Sequence, residues 1–422
     1  MKLLEWDINL KVRLFGELLM NVLFWMFVPF MAIYFKEEFG EALAGFLMVI
    51  PPIAGILANL FGGTWADRYG RKRMMQIAIF IEAISMFIFA FSPSAWLDFL
   101  IFNCLTVASI IYQPASLAMV ADLVPVHERR DVFAVFYMNR NIGVVLGPMI
   151  GSVLFFTYRT ELILGCAIAA VIFFILLNKY VHETVPAHTI EQSKKSSTLG
   201  QLKNFMVIFK DKLFFLYVMA GVIIHQTFLQ MDFYLSIYVY DQVHDAPLMR
   251  LRDHLITVDG AQLYGMLVSL NGIMVVLLSV AITRAIRNWS DKRAFTISAL
   301  LFGFSYFLMA FSLNPWYLLF CIAIFTIAEM MRTPVLQNFI TKISPEDQRG
   351  QYLGASSLQF SIGQMIAPLS LTLSGIVSPF WMFTSFFVTG IIGALLYAIM
   401  FNLYDKQMAG EEEHSIPQSA EY

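Results

Sequence analysis

The chain has 422 residues, of which 59% are hydrophobic and 14% charged, against roughly 25% charged in an ordinary soluble domain. That balance excludes a soluble globular protein and points to a polytopic membrane protein. The net charge of -2 leaves no electrostatic footprint for nucleic acid, so the 28 Lys and Arg are informative only through where they fall.

The N-terminal segment MKLLEWDINLKVR mixes acids with bases, and the apolar run after it is long enough to span a bilayer. This argues against a cleaved leader and predicts that the first helix is retained. A bilayer core of about 30 Å needs roughly 20 apolar helical residues. Such runs lie near 14–35, 42–64, 74–92, 96–121, 132–157 and 161–182, and again near 213–240, 260–283, 294–313, 315–341, 350–375 and 380–403. Between the sixth and seventh lies the polar stretch 183–212, with EQSKKSSTLGQLK, the only long linker between the two sets. The predicted fold is therefore all-α, with 12 transmembrane helices as two six-helix bundles at 1–182 and 213–405, a linker at 183–212 and a polar tail at 406–422.

With the N-terminus inside, 21 of the 28 Lys and Arg fall in inward-facing segments, and only Lys36, Arg159, Arg250 and Arg252 fall in external loops. The positive-inside rule places both termini in the cytoplasm of a cell inner membrane. The second half repeats the first at an offset of 220 residues. Pro114 maps to Pro334, Pro125 to Pro345, Arg129 to Arg349, Gly143 to Gly363 and Pro148 to Pro368, with Asp122 opposite Lys342. Two such halves around a central cavity are the architecture of a carrier that rocks between inward-open and outward-open states.

Between the second and third spans, Gly63 to Arg73 read GTWADRYGRKR, a charged turn at a membrane surface. Its glycines permit unusual backbone geometry, and Asp67 can accept hydrogen bonds from a facing helix N-terminus. Gly63, Asp67, Arg68, Gly70, Arg71 and Lys72 resemble the loop motif between helices 2 and 3 of the major facilitator superfamily, with Trp65 where that motif usually has Leu. The run NIGVVLGPMIGS, Asn141 to Ser152, resembles the helix 5 signature of the drug:proton antiporter branch. Gly143, Gly147 and Gly151 fall on one helix face, where a neighbouring backbone can approach, and Pro148 adds a bend. More narrowly, WDINLKVRL, QMDFYL around Asp232, AEMMRTP around Glu329 and RNWSDKR resemble the LmrP-type multidrug transporters.

The resemblance implies proton-driven export of amphiphilic, often cationic compounds, with membrane carboxylates as coupling groups. It also implies a cytoplasmic charge network that stabilises the outward-open state, for which Asp67, Arg68, Gly70, Arg71, Asp122 and Arg129 are the candidates. In the second half the matching segment reads TRAIRNWSDKR, without the Gly and Asp pattern, so this latch is expected to be asymmetric.

Ionisable groups at membrane depth are costly enough to be functional candidates. They are Glu17, Glu82, Arg140, Asp232, Glu329 and Arg332. A carboxyl group shielded from water takes up a proton more readily than an exposed one and releases it when its surroundings open. Asp232 and Glu329 are therefore the predicted proton and substrate groups. Arg332, three residues after Glu329, can share its face. It can pair with Glu329, be released from it during a cycle, or anchor an anionic cargo for a lipid-like or metabolite exporter. Glu17, with Asn21 at i+4, can line a cavity mouth or snorkel to the interface. Arg140, about 12 Å into its helix at about 1.5 Å per residue, can pair with one of the acids.

Cys104, Cys166 and Cys321 lie in apolar runs without paired spacing and read as small buried hydrophobes. The seven His are scattered and only His225 falls in a span, so neither an enzyme, a metal site nor a cofactor is predicted. The polar stretch from Asp241 to Asp259 reads as a solvated external loop. Forty Phe and 24 Met supply adaptable apolar surface. The sequence thus predicts a monomeric multidrug:proton antiporter whose partners are lipophilic small molecules, protons and membrane lipids.

Overall fold

The structure, a computed structural model, describes residues 6–125, 128–184, 211–252, 254–344, 352 and 355–415. Twelve spans build it. The first begins with α1 (Ile8–Phe27), started by the Asp7 carboxylate, which accepts from the Asn9 N–H at 2.8 Å. One 3-10 turn, Val28–Phe30, interrupts it at Pro29, and α2 (Met31–Leu47) continues it. Next come α3 (Ile50–Tyr69) and α4 (Arg71–Ala90), joined by Gly70 alone. Gly70 has φ +96°, a conformation only glycine adopts cheaply, so the chain reverses in one residue. The remaining spans of this half are α5 (Ala95–Leu123), α6 (Arg129–Leu154) and α7 (Arg159–Tyr180).

The second half opens with α8 (Lys212–Phe228), capped by the Asp211 carboxylate. A 3-10 turn, Leu229–Met231, breaks the span before α9 (Tyr234–Gln242). Thereafter come α10 (Gly260–Ala285), with an Asp259–Gln262 capping box, α11 (Asp291–Met309) and α12 (Pro315–Ile343). The last two spans are α13 (Leu358–Ile366) with α14 (Leu369–Ser374), and α15 (Pro379–Ser415). Eight of these segments are long and apolar enough to cross a membrane by length and composition, among the described residues.

The duplication is visible in the elements themselves. Helices α5 and α12 are each 29 residues long, start 220 residues apart, and carry Pro114 and Pro334 at matching positions. Arg71 forms an ion pair with Asp122, and Asp291, 220 residues after Arg71, pairs with Lys342 at 2.6 Å. The Gly and Asp pattern is lost in the second half, but the ion pair survives with its charges exchanged.

Several boundaries differ from the sequence-based expectation. The polar residues after Tyr34 stay helical to Leu47 with a kink at Gly40 (φ 77°), because water at the end of a span satisfies charged side chains without ending the helix. Pro368 splits the eleventh span, and α15 runs on to Ser415 through the first part of the predicted tail. The polar segment after α9 is structured. It forms an antiparallel hairpin, β1 (Ala246–Leu251) with β2 (His254–Val258), pinned to α12 by the Trp316 indole, which donates to the Leu248 carbonyl at 2.7 Å. Cys104 is exposed, whereas Cys166 and Cys321 are buried as expected. The predicted linker lies almost wholly outside the described residues, as do His127, Pro345, Arg349 and the last seven residues.

Small residues decide how closely the spans approach. The glycines of α6 face α1: Gly143 lies against the Asn21 backbone, Gly147 against Trp25 and Gly151 against the Met26 carbonyl. On its other side α6 meets α10, where Gly265 receives the Pro148 carbonyl and Gly272 receives Val145. One helix thereby ties the first span to the opposite half.

Candidate functional site

Between the halves lies a cavity of about 480 Å³, walled by Phe24, Trp25, Pro29, Phe102 and Phe233. Its polar groups are Asp232, Gln113, Thr106, Ser361 and Gln364. Asp232 is its single charged group among the described residues. The breaks in the first and seventh spans both open onto this space, contributing Val28 and Pro29 on one side and Leu229, Asp232 and Phe233 on the other. An interrupted helix puts irregular backbone at membrane depth only where it lines a cavity. Asp232 itself sits at the end of the 3-10 turn, with the Tyr264 phenol beside it.

Glu329, the other predicted coupling carboxylate, does not line this cavity. It accepts a hydrogen bond from the Asn271 amide at 2.8 Å, and the same amide reaches Thr326 at 3.1 Å. Both acids thus lie in the second half, Asp232 on the cavity wall and Glu329 held by Asn271. Arg332 makes no ion pair with Glu329. It turns into the bundle, 7% exposed, toward Gln359 at 3.5 Å and the Tyr397 hydroxyl at 3.4 Å. In this conformation the pairing that the i+3 spacing allows is not made, because helical spacing fixes a face but not the rotamer.

The three remaining charges, Glu17, Glu82 and Arg140, meet in a smaller cavity of about 100 Å³ inside the first half. Glu17 is held there by Arg13 at 3.2 Å and by the hydroxyls of Tyr112 and Ser116, both donating at 2.8 Å. Arg13 is 0% exposed, also donates to Ser116, and lies 5.2 Å over the Phe136 ring. Sequence reasoning missed this role, since Arg13 reads as one of several basic residues before the first span. Its i, i+4 spacing to Glu17 was the available signal. Arg140 forms no ion pair within 4 Å among the described residues.

The described contacts of Arg68, Arg71, Asp122 and Arg129 lie within the first half. Besides its pair with Asp122, Arg71 donates to the Ala118 carbonyl at 2.8 Å, while Arg129 donates to the Val124 carbonyl at 3.0 Å. Arg68 is exposed and stacks over its neighbour Tyr69. The Asp67 side chain lies outside the described ones. The acid found at the N-terminus of α4 is Glu183, whose carboxylate accepts from the N–H groups of Arg71 and Lys72 at 3.0 and 3.1 Å. A carboxylate more than a hundred residues away in sequence gives no local signal.

At the end opposite these basic loops, polar contacts join the halves. The Lys36 ammonium meets both Asp241 oxygens at 2.7 Å, the Tyr240 hydroxyl donates to Glu37 at 2.6 Å, and Thr372 donates to the Ala42 carbonyl at 3.1 Å. Phe156 packs on Tyr240 with ring centroids 5.2 Å apart, and Phe30 on Tyr264 at 5.8 Å. These contacts hold the two halves together at that end.

The chain is 41% identical over 421 residues to a Na(+), Li(+), K(+)/H(+) antiporter of Planococcus maritimus, covering 96% of this chain and 99% of the relative. It is 24% identical to the multidrug resistance protein MdtH of Photorhabdus laumondii, with 92% of each chain covered. A crystal structure of the peptide transporter POT in complex with sulfate shares the fold with a TM-score of 0.76 at 15% identity, covering 96% of both chains. The Major Facilitator Superfamily profile matches residues 14–251 and 253–419. With two halves around a central cavity and a family match over nearly its whole length, the chain belongs to the major facilitator superfamily of membrane transporters.

Proposed function

We propose that the protein is a proton-coupled antiporter that exports a cation by alternating access, with both termini in the cytoplasm. The observation that carries this reading is the position of Asp232, a lone carboxylate on an unwound stretch between the two halves. Such a group holds either a proton or a cation, and rocking the halves carries whichever is bound. Glu329, hydrogen-bonded to Asn271 inside the same half, is the second carboxylate read as a proton carrier. Arg332 lies away from the cavity lining, which removes the observation that favoured an anionic cargo.

The cargo read first is an alkali cation, because a relative named for exchanging Na+, Li+ and K+ against H+ aligns along essentially the whole chain. A second reading, an amphiphilic organic cation, is favoured by the apolar and aromatic walls of the central cavity. The MdtH relative and the LmrP-type resemblance support it. In everted membrane vesicles acidified by respiration, addition of NaCl, LiCl or KCl is expected to release protons, as read by a pH-sensitive dye. A response to tetraphenylphosphonium but to none of the salts selects the second reading. No response to either contradicts antiport.

The contacts between Lys36, Glu37, Tyr240 and Asp241 act in this reading as an external latch. Partly exposed ion pairs contribute only about 0.2–1 kcal/mol, enough for a few-fold change in a balanced population. Lys36→Ala is therefore expected to raise the outward-open fraction a few-fold, read from spin-label distances across the external ends of α2 and α9. Unchanged distances would assign the pair to anchoring alone.

A further inference from the structure

The smaller cavity carries a second site, and this inference rests on the alkali-cation reading above. We propose that it is the alkali-cation site, with Glu82 as the charged ligand and the oxygens of Asn21, Ser109 and Gln113 as neutral ligands.

Glu82 is nine-tenths buried at the middle of α4, lines the cavity, and has neither a hydrogen bond nor an ion pair among the described residues. A buried carboxylate without a partner is costly unless it holds a proton or a cation. The other acid of the cavity, Glu17, is already satisfied by Arg13, Tyr112 and Ser116, so its charge is spent. At about 100 Å³ the space is about a fifth of the central cavity and has room for a small cation with ordered water. Oxygen donors are the ligands that hard cations take.

The charged and titratable groups facing Glu82 come from three spans. They are Glu17 with Arg13 behind it on α1, Tyr112 on α5 and Arg140 on α6, while α7 contributes only Phe173. Arg140 lines the same cavity but forms no ion pair within 4 Å among the described residues, so no fixed cation directly neutralises Glu82. Phe24, Trp25 and Gln113 line both cavities and form the wall between Glu82 and the space holding Asp232. This division resolves a mismatch: a bare alkali ion has little to bind in the larger apolar cavity, where Asp232 is the only charge among the described residues.

The test is equilibrium binding of 22Na+ to the purified full chain in detergent, with choline chloride as the ionic-strength control. Saturable binding is expected for the wild type, displaced by LiCl and KCl. Glu82→Gln, of the same size without the charge, is expected to weaken it at least tenfold, and Glu82→Asp to change the order of preference among the three ions. Wild-type binding that survives Glu82→Gln overturns the assignment, as does absence of saturable wild-type binding. If Glu82→Gln is not monodisperse, an ion order in Glu82→Asp and Ser109→Ala identical to the wild type overturns it equally. Antiport itself is judged separately by proton release in vesicles, so alkali-driven release with Glu82-independent binding sinks this site and leaves the antiporter standing.

Discussion

Gly151→Ala is expected to be among the most damaging single-methyl additions in the chain. A Cβ at Gly151 would fall onto the Met26 carbonyl, part of the backbone of the first span just before its break. Backbone does not yield as the end of a flexible side chain does, so α6 has to move away from α1. Overpacking of this kind costs about 1–3 kcal/mol, and here it also disturbs the turn at Val28–Phe30 that lines the cavity. Gly143→Ala, where the nearest Asn21 backbone atoms lie at 2.9 Å, is expected to be milder. Gly165→Ala, with nothing within 4 Å, is expected to be neutral. Thermal unfolding of purified variants followed by size-exclusion chromatography checks the order. Equal stability of all three would contradict close packing along that face.

The largest functional effect is expected from Asp232→Asn. The substitution keeps the shape of the side chain, so packing around Leu229 and Phe233 is preserved while the only charge in the central cavity among the described residues is removed. Removing one partner of a buried charge pair costs about 2–5 kcal/mol, which is roughly 30-fold or more in affinity for an organic cation held in that cavity. An amide also cannot exchange a proton, so any residual movement of cargo should no longer follow the pH gradient. Arg332→Gln, by contrast, is expected to act on stability, since its side chain is buried against Gln359 and Tyr397 rather than in the cavity.

The spans, the duplication and the glycine seam of α6 were legible because each is written in local composition or in a repeat spacing. Asp232 was legible for the same reason, as a lone acid in an apolar run. What the sequence did not disclose depends on rotamers and on distant partners. Helical spacing put Arg332 on the face of Glu329, but the guanidinium turns to another neighbour. Arg13 looked like a topology signal and proved to be buried with Glu17 and Ser116. Glu183 caps α4 from the far end of the first half. The pairing of Lys36 with Asp241 joins residues 205 positions apart. Glu17, Glu82 and Arg140 were each legible as candidates, but nothing in their spacing said that they share one cavity.

The central claim is that protons and cargo are coupled through Asp232 between the two halves. Its most direct test is accumulation of 22Na+ or labelled tetraphenylphosphonium in proteoliposomes under an imposed pH gradient, acidic inside, for the wild type and Asp232→Asn. The account predicts gradient-driven accumulation of at least one of these cations by the wild type and none above empty liposomes for the variant. Accumulation by Asp232→Asn equal to the wild type, still collapsing when the gradient is dissipated, would contradict it.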